Sequence, residues 1–148
     1  VCLIYTLGIS VLSFIIGNFF AILLAVMRMS QKPWLKYPAR IYISFMRGVP
    51  MLVVLFILYF GLPYVGIQIP ALLYAIIGFS TVSAAYMAEI FRSSISAVDK
   101  GQWEAAQSLG LPQKPIIRHI ILPQALRIAV APLAMSLLIW LRVPHWLL

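Results

Sequence analysis

Three long stretches of the sequence, 1–27, 48–88 and 128–141, contain no charged residue. A membrane-spanning helix needs about 20 mostly apolar residues. The first stretch therefore predicts one span, ending near Arg28. The second, at 41 residues, is too long for a single span and is broken by Gly61-Leu62-Pro63 and Gly66-Ile67-Gln68-Ile69-Pro70. Such turn-forming residues predict a short loop over 61–70. The stretch then divides into a short span from about Val49 to Phe60 and a longer one from about Ala71 to Glu89. The last stretch predicts a helix over roughly Ala125 to Leu141, with Pro132 absorbed as a kink. Arg47-Gly48-Val49-Pro50 predicts an extended or re-entrant start for the short span, and Pro33, Trp34, Tyr37 and Pro38, set among Lys and Arg, predict an interfacial segment. The fold class is an all-α membrane protein with about four transmembrane helices.

Composition agrees. Of 148 residues, 64% are hydrophobic and 9% charged, where a soluble domain carries about a quarter charged. With a mean hydropathy of +1.03, this excludes an ordinary soluble domain, a disordered chain and a disulfide-stapled secreted module. The single cysteine, Cys2, can form neither a disulfide within the chain nor a multi-thiolate metal site. The sequence opens at Val1, inside an apolar run without a basic leader or a small-residue cleavage site. It reads as a span whose N-terminus is cut away rather than as a signal peptide.

A net charge of +8 would suggest nucleic acid in a soluble chain, but the positions of the cations argue otherwise. Arg28, Lys32, Lys36, Arg40 and Arg47 lie between the first and second spans, and Arg92, Lys100, Lys114, Arg118 and Arg127 between the third and fourth. Residues 61–70 carry none. The positive-inside rule places both basic segments in the cytoplasm and the N-terminus outside.

Between Glu89 and Arg127 the chain is too polar to be membrane-buried. Gln102-Trp103-Glu104-Ala105-Ala106-Gln107-Ser108-Leu109 predicts a helix of about two turns, stopped by Gly110 and barred from continuing by Pro112. Alone in water so short a helix is unstable, so it must dock. Ala105 and Ala106 allow close approach, Trp103 offers an anchor and Glu104 a charge, a set suited to a partner's groove. The plainer alternative is a helix lying on the membrane surface.

The spacing narrows the choice. Glu104-Ala105-Ala106, three residues, Gly110, nine residues, Ile120, one residue, then Leu122-Pro123 resembles the EAA loop of bacterial ABC-importer permeases at every position. Thr6-Leu7 with Ser10, Arg47-Gly48-Val49-Pro50-Met51-Leu52, Tyr59-Phe60-Gly61-Leu62-Pro63, Ala85-Tyr86-Met87-Ala88-Glu89-Ile90-Phe91-Arg92 and Gly101-Gln102-Trp103 look like the polar amino-acid branch, whose permeases serve histidine, glutamine/glutamate, arginine/lysine and opines. The resemblance runs from about Thr6 to Leu133.

It implies about four helices of the five-helix type I importer core, in one permease domain over 1–148 with the cytoplasmic EAA loop at 90–124. It further implies coupling to an ATPase through Gln102, Trp103, Glu104, Ala105, Ala106, Gly110, Ile120, Leu122 and Pro123. The implied partners are two ATPase subunits, a second permease copy or a homologous permease, an extracytoplasmic solute-binding protein and membrane lipid, in a bacterial inner membrane. No cofactor is expected on this chain. Lys32 and Lys114 precede Pro, Lys36 precedes Tyr and Lys100 precedes Gly, so there is no P-loop, and ATP and Mg belong to the partner ATPase. The chain is read as a transport subunit, not an enzyme.

Few residues invite another reading. Glu89 ends the third span, where an acid suggests function, but Arg92 three residues on offers the preferred explanation, an ion pair on adjacent turns. Ser80, Thr81, Ser83 and Tyr86 either line a translocation path with Glu89 or bond back to their own helix. His119 and His145 lack companions at metal-ligand spacing, and His119 reads as a polar loop residue. A secondary transporter or channel independent of ATP is the alternative function; it lacks mid-membrane acids for ion coupling and leaves the loop motif unexplained. The resemblance stops after Pro132-Leu133. Reading one base earlier through Met135–Leu148 can spell the family's Asn, Leu, Lys, Thr, Ser and Leu in order, so this tail is expected to be a frame-shifted reading that lacks the last span.

Overall fold

The computed structural model describes the backbone of residues 2–142 and the side chains of residues 7–139. Helix α1 is Cys2–Met29 and α2 is Pro33–Gly48. Helix α3 runs from Met51 to Tyr64, with a π-helical stretch at Ile57–Gly61. Helix α4 is Ala71–Ser96 and α5 is Lys100–Ser108. Helix α6 joins Gln113–Pro115, a π-helical stretch Ile116–Ile121 and Leu122–Arg142. Leu7–Met29, Ala71–Ser96 and Gln113–Ile139 are each long and apolar enough to cross a membrane, and α2 with α3 passes the same test as a pair bent by 104°. At 1.5 Å per residue, the 26 residues of α4 reach about 39 Å, beyond the roughly 30 Å of hydrocarbon.

The core is the seam between α1 and α4. Ser10, Ser13, Gly17, Ala21 and Ala25 recur every three or four residues along α1, and all the side chains among them are buried. Lipid supplies no hydrophobic drive between helices, so small residues that let backbones approach are what hold such a seam. Opposite them lie Ser80, Ser83, Ala84, Met87 and Ala88 of α4, all buried. A Cβ added at Gly17 would overlap the Ser83 hydroxyl and come within 3.2 Å of the Ser80 carbonyl oxygen. Ala39 and Ile43 turn one face of α2 inward, and the Tyr42 hydroxyl donates to the Thr81 carbonyl at 2.9 Å.

Several boundaries differ from expectation. The second span is not confined to Val49–Phe60. Gly61-Leu62-Pro63 is helical, and the reversal falls at Val65–Pro70, where Gly66 takes φ +90°. The π turn just before Leu62-Pro63 widens the helix ahead of a proline that offers no N–H. The same device precedes Leu122-Pro123, so that Ile120, Leu122, Pro123 and His119 lie within α6 rather than in a loop. The third span continues past Glu89 to Ser96. Irregular backbone between Glu89 and Arg127 is confined to 97–99 and 109–112. Pro132 is carried inside α6, as expected. The break at the start of the short span is present: Val49 and Pro50 are extended (ψ 127° and 136°) between α2 and α3. Of the tail, Met135–Arg142 continues the helix, and His145 and the rest of 143–148 lie outside the described residues, as does the side chain of Thr6.

Candidate functional site

Helix α5 has the two-turn length its sequence predicts, and both ends are fixed locally. The Asp99 carboxylate accepts the Gly101 N–H at 3.0 Å, an N-cap that the sequence reading passed over. At the other end Gly110 takes φ +70°, which L side chains rarely adopt. There the Gly110 N–H donates to the Gln107 carbonyl at 2.9 Å and the Leu111 N–H to the Ala106 carbonyl at 3.3 Å, a Schellman stop.

Two faces follow. Ala106 is 3% exposed and packs with Val98, Ile116, Ile121 and Ala125; Trp103, Ile95 and Ile120 close over this cluster. Trp103 and Ala106 therefore anchor α5 on its own chain, against the end of α4 and the root of α6. Gln124 Nε2 donates to Gln102 Oε1 at 3.3 Å, tying the motif's start to α6. Glu104 and Ala105 point outward, beside an exposed Leu109 (78%) and Leu111. Those two leucines were not singled out from sequence; an apolar residue on each side of a helix-stopping glycine was the available signal. Pro123 is exposed and Leu122 partly so.

Glu89 is the charge hub of the membrane helices. Its Oε1 accepts from Arg92 Nε at 3.0 Å and Nη2 at 2.6 Å, its Oε2 is paired with Arg28 of α1, and Arg47 of α2 lies 3.9 Å from Oε1. The expected Glu89–Arg92 pair is thus present and is part of a larger cross-link joining three helices. Sequence spacing could not reveal Arg28 and Arg47, which are distant in the chain.

The polar residues of α4 separate. Thr81 Oγ1 donates to the Ile77 carbonyl at 2.7 Å and Ser83 Oγ to the Ser80 carbonyl at 3.2 Å, so both bond back to their own helix. Ser83 is sealed in the α1–α4 seam, while the buried hydroxyls of Ser10, Ser13 and Ser80 find no partner among the described residues. Only Tyr86 of this set opens onto the cleft at the α2–α3 break, a space of about 440 Å³ lined also by Arg47, Val49, Pro50, Val82 and Ser136. The Arg47 guanidinium carbon sits 5.8 Å from the Tyr86 ring centroid. Ser80 and Thr81 instead edge an apolar recess between α1, α2 and α4.

Long apolar helices around a small-residue seam, with a short docked helix between two of them, define a multi-pass membrane protein. Residues 17–141 match the family described as binding-protein-dependent transport system inner membrane component, and the chain belongs to that family. The match runs past Leu133, where the resemblance read from sequence ends, to residue 141. The chain is 58% identical over 134 residues to the probable amino-acid ABC transporter permease protein YckA of Bacillus subtilis, covering 90% of this chain and 59% of that protein. It is 39% identical over 130 residues to the L-cystine transport system permease protein TcyB of the same organism, covering 88% of this chain and 56% of TcyB. The chain thus spans less than two thirds of these relatives. Among solved structures, it is similar to one described as an amino acid ABC transporter with histidines, with a TM-score of 0.92 and 38% identity over 94% of this chain and 65% of that one. An inward-facing methionine transporter, MetNI, shares the fold at a TM-score of 0.65 and 24% identity.

Proposed function

We propose that this chain is the membrane-spanning permease subunit of an ATP-driven importer of polar amino acids, with α5 as its coupling helix. The observation that carries the reading is the two-faced packing of α5. Trp103 and Ala106 lock it onto both α4 and α6, while Glu104, Ala105, Leu109 and Leu111 face outward. A push on the outer face passes through the packed cluster into two spans at once, because close-packed side chains transmit displacement rather than absorb it. In this reading two ATPase subunits grip the exposed face from the cytoplasm and hydrolyse ATP with Mg. A second permease, identical or homologous, completes the pore, and an extracytoplasmic binding protein delivers solute at a bacterial inner membrane. The substrate class is supported by the amino-acid permeases among the relatives, and the cleft beside Tyr86 and Arg47 is the candidate for the path, with Glu89 holding its cytoplasmic end. Gly110, Ile120, Leu122 and Pro123 set the angle at which α5 meets α6.

The test is reconstitution of the assembled transporter carrying Glu104→Lys, which reverses the outward charge, or Ala105→Trp, which fills the space kept for a partner. Both are expected to abolish solute-stimulated ATPase activity and transport while the spans stay folded. Transport that survives both changes refutes the coupling role.

A further inference from the structure

Helix α2 carries a feature that transport does not use. Lys36, Arg40 and Arg47 fall at i, i+4 and i+11, one stripe of the helix, and Trp34, Ile41 and Phe45 at i, i+7 and i+11 form a second stripe about 140° further round, with Tyr37 and Ser44 between the two. The face with Ala39 and Ile43, which flanks the basic stripe on its other side and lies opposite the apolar one, is buried against the protein, and Arg47 reaches from it to Glu89. Both outward stripes are open: Trp34 is 90% exposed, and Tyr37, Ile41 and Phe45 are all more than half exposed. At the start of α2, Gln31, Pro33, Lys36, Tyr37 and Arg40 enclose a notch of about 190 Å³.

Charge balance shows what the notch lacks. The chain has three acids against eleven Lys and Arg. Glu89 is held by Arg28, Arg47 and Arg92, Asp99 caps α5, and Glu104 stands on the exposed face of α5, in no ion pair among the described residues. Among the described residues Lys32, Lys36 and Arg40 take part in no ion pair. Their counter-charge must come from outside the described chain.

We propose that this notch holds the phosphate of an anionic phospholipid of the cytoplasmic leaflet, with the acyl chains lying along Trp34, Ile41 and Phe45. A basic stripe bordered by exposed aromatic and apolar side chains is the physical signature of a helix seated at the headgroup level of an anionic leaflet. Charge complementarity selects an anion, and the exposed apolar stripe reached from the notch across Tyr37 selects a lipid over a soluble phosphate, which would leave Trp34, Ile41 and Phe45 in water. Tyr37 lines the notch with Lys36 and Arg40 and lies on the helix between the basic and the apolar stripe, and aromatic residues beside cations are typical of membrane interfaces. The choice of leaflet rests on the topology of the proposed function; the site itself rests on α2 alone.

The experiment places the assembled transporter in phosphatidylcholine nanodiscs containing a minority of phosphatidylglycerol and counts retained lipids by native mass spectrometry. The wild-type assembly is expected to retain phosphatidylglycerol in preference to phosphatidylcholine. Lys36→Gln with Arg40→Gln is expected to lower that preference about thirtyfold, roughly five- to sixfold per cation removed. Lys114→Gln with Arg118→Gln, an equal loss of exposed charge elsewhere, is expected to leave it intact. Brominated phosphatidylglycerol should quench a component of fluorescence that disappears in Trp34→Phe. Equal retention by the two double variants overturns the site, and displacement of the lipid by millimolar inorganic phosphate overturns the lipid assignment in favour of a soluble anion. A Lys36→Cys that cannot be labelled in the assembly shows another subunit on this face and also overturns the proposal. Labelling of Gln31→Cys from the outside overturns the topology and with it the leaflet. Loss of import with selective lipid retention intact refutes the transport reading and leaves this site standing.

Discussion

Ala105 and Ala106 are adjacent, chemically identical and oppositely placed, which makes them a test of how α5 works. Ala106 is 3% exposed against Val98, Ile116, Ile121 and Ala125, whereas Ala105 faces outward. Ala106→Leu forces three extra heavy atoms into a filled cluster, and overpacking of this kind costs about 1–3 kcal/mol. A helix of nine residues has little stability of its own, so most of that cost appears as undocking of α5 rather than as loss of the spans. The amides of Gly110 and Leu111, whose bonds to Gln107 and Ala106 close the helix, report on it directly. A loss of 1–3 kcal/mol in docking corresponds to hydrogen exchange faster by about five- to 150-fold at these amides. Ala105→Leu adds the same atoms in open space and should leave exchange unchanged while impairing solute-stimulated ATPase activity in the assembled transporter. The reasoning is refuted if the two variants exchange alike, or if Ala106→Leu leaves the amides of Gly110 and Leu111 as protected as in the parent.

Other perturbations address the rest of the structure. Glu89→Gln removes the one carboxylate shared by Arg28, Arg47 and Arg92; because these side chains are partly exposed, the expected loss is about 1–3 kcal/mol, seen as a lower Tm of the detergent-solubilised assembly, and an unchanged Tm refutes the cross-link. Gly17→Leu must push α1 from α4, whereas even the first carbon of a side chain at Gly8 would meet nothing within 4 Å; Gly17→Leu should abolish the folded assembly on size exclusion and Gly8→Leu should not, and equal behaviour would refute the seam. For topology, a reporter fused after Pro63 should face outside and reporters after Gln31 or Gln113 should face the cytoplasm, so residue 63 found inside would overturn the orientation.

What the sequence revealed and what it hid divide along a physical line. Charge-free length located the helices of the membrane because burying a charge in lipid is costly whatever the tertiary arrangement. Helix α5 was legible because its stop is local: only glycine sits readily at φ +70°, and Pro112 follows within two residues. The misplaced boundaries share a cause. Gly61-Leu62-Pro63 read as a turn and Leu122-Pro123 as part of the loop, yet each Leu-Pro follows a π turn that widens the helix ahead of a proline with no N–H. Nothing in single-residue propensity encodes that compensation. The hub at Glu89 was half legible, since Arg92 lies one turn away while Arg28 lies 61 positions distant and is brought near only by the α1–α4 seam. The seam itself was written as small residues at Ser10, Ser13, Gly17, Ala21 and Ala25, a signal that averaged hydropathy discards because such residues contribute little to it. That same averaging concealed the two faces of α5: Ala105 and Ala106 score alike, and only the position of Ile116 and Ile121 decides which of them holds the helix and which stays exposed.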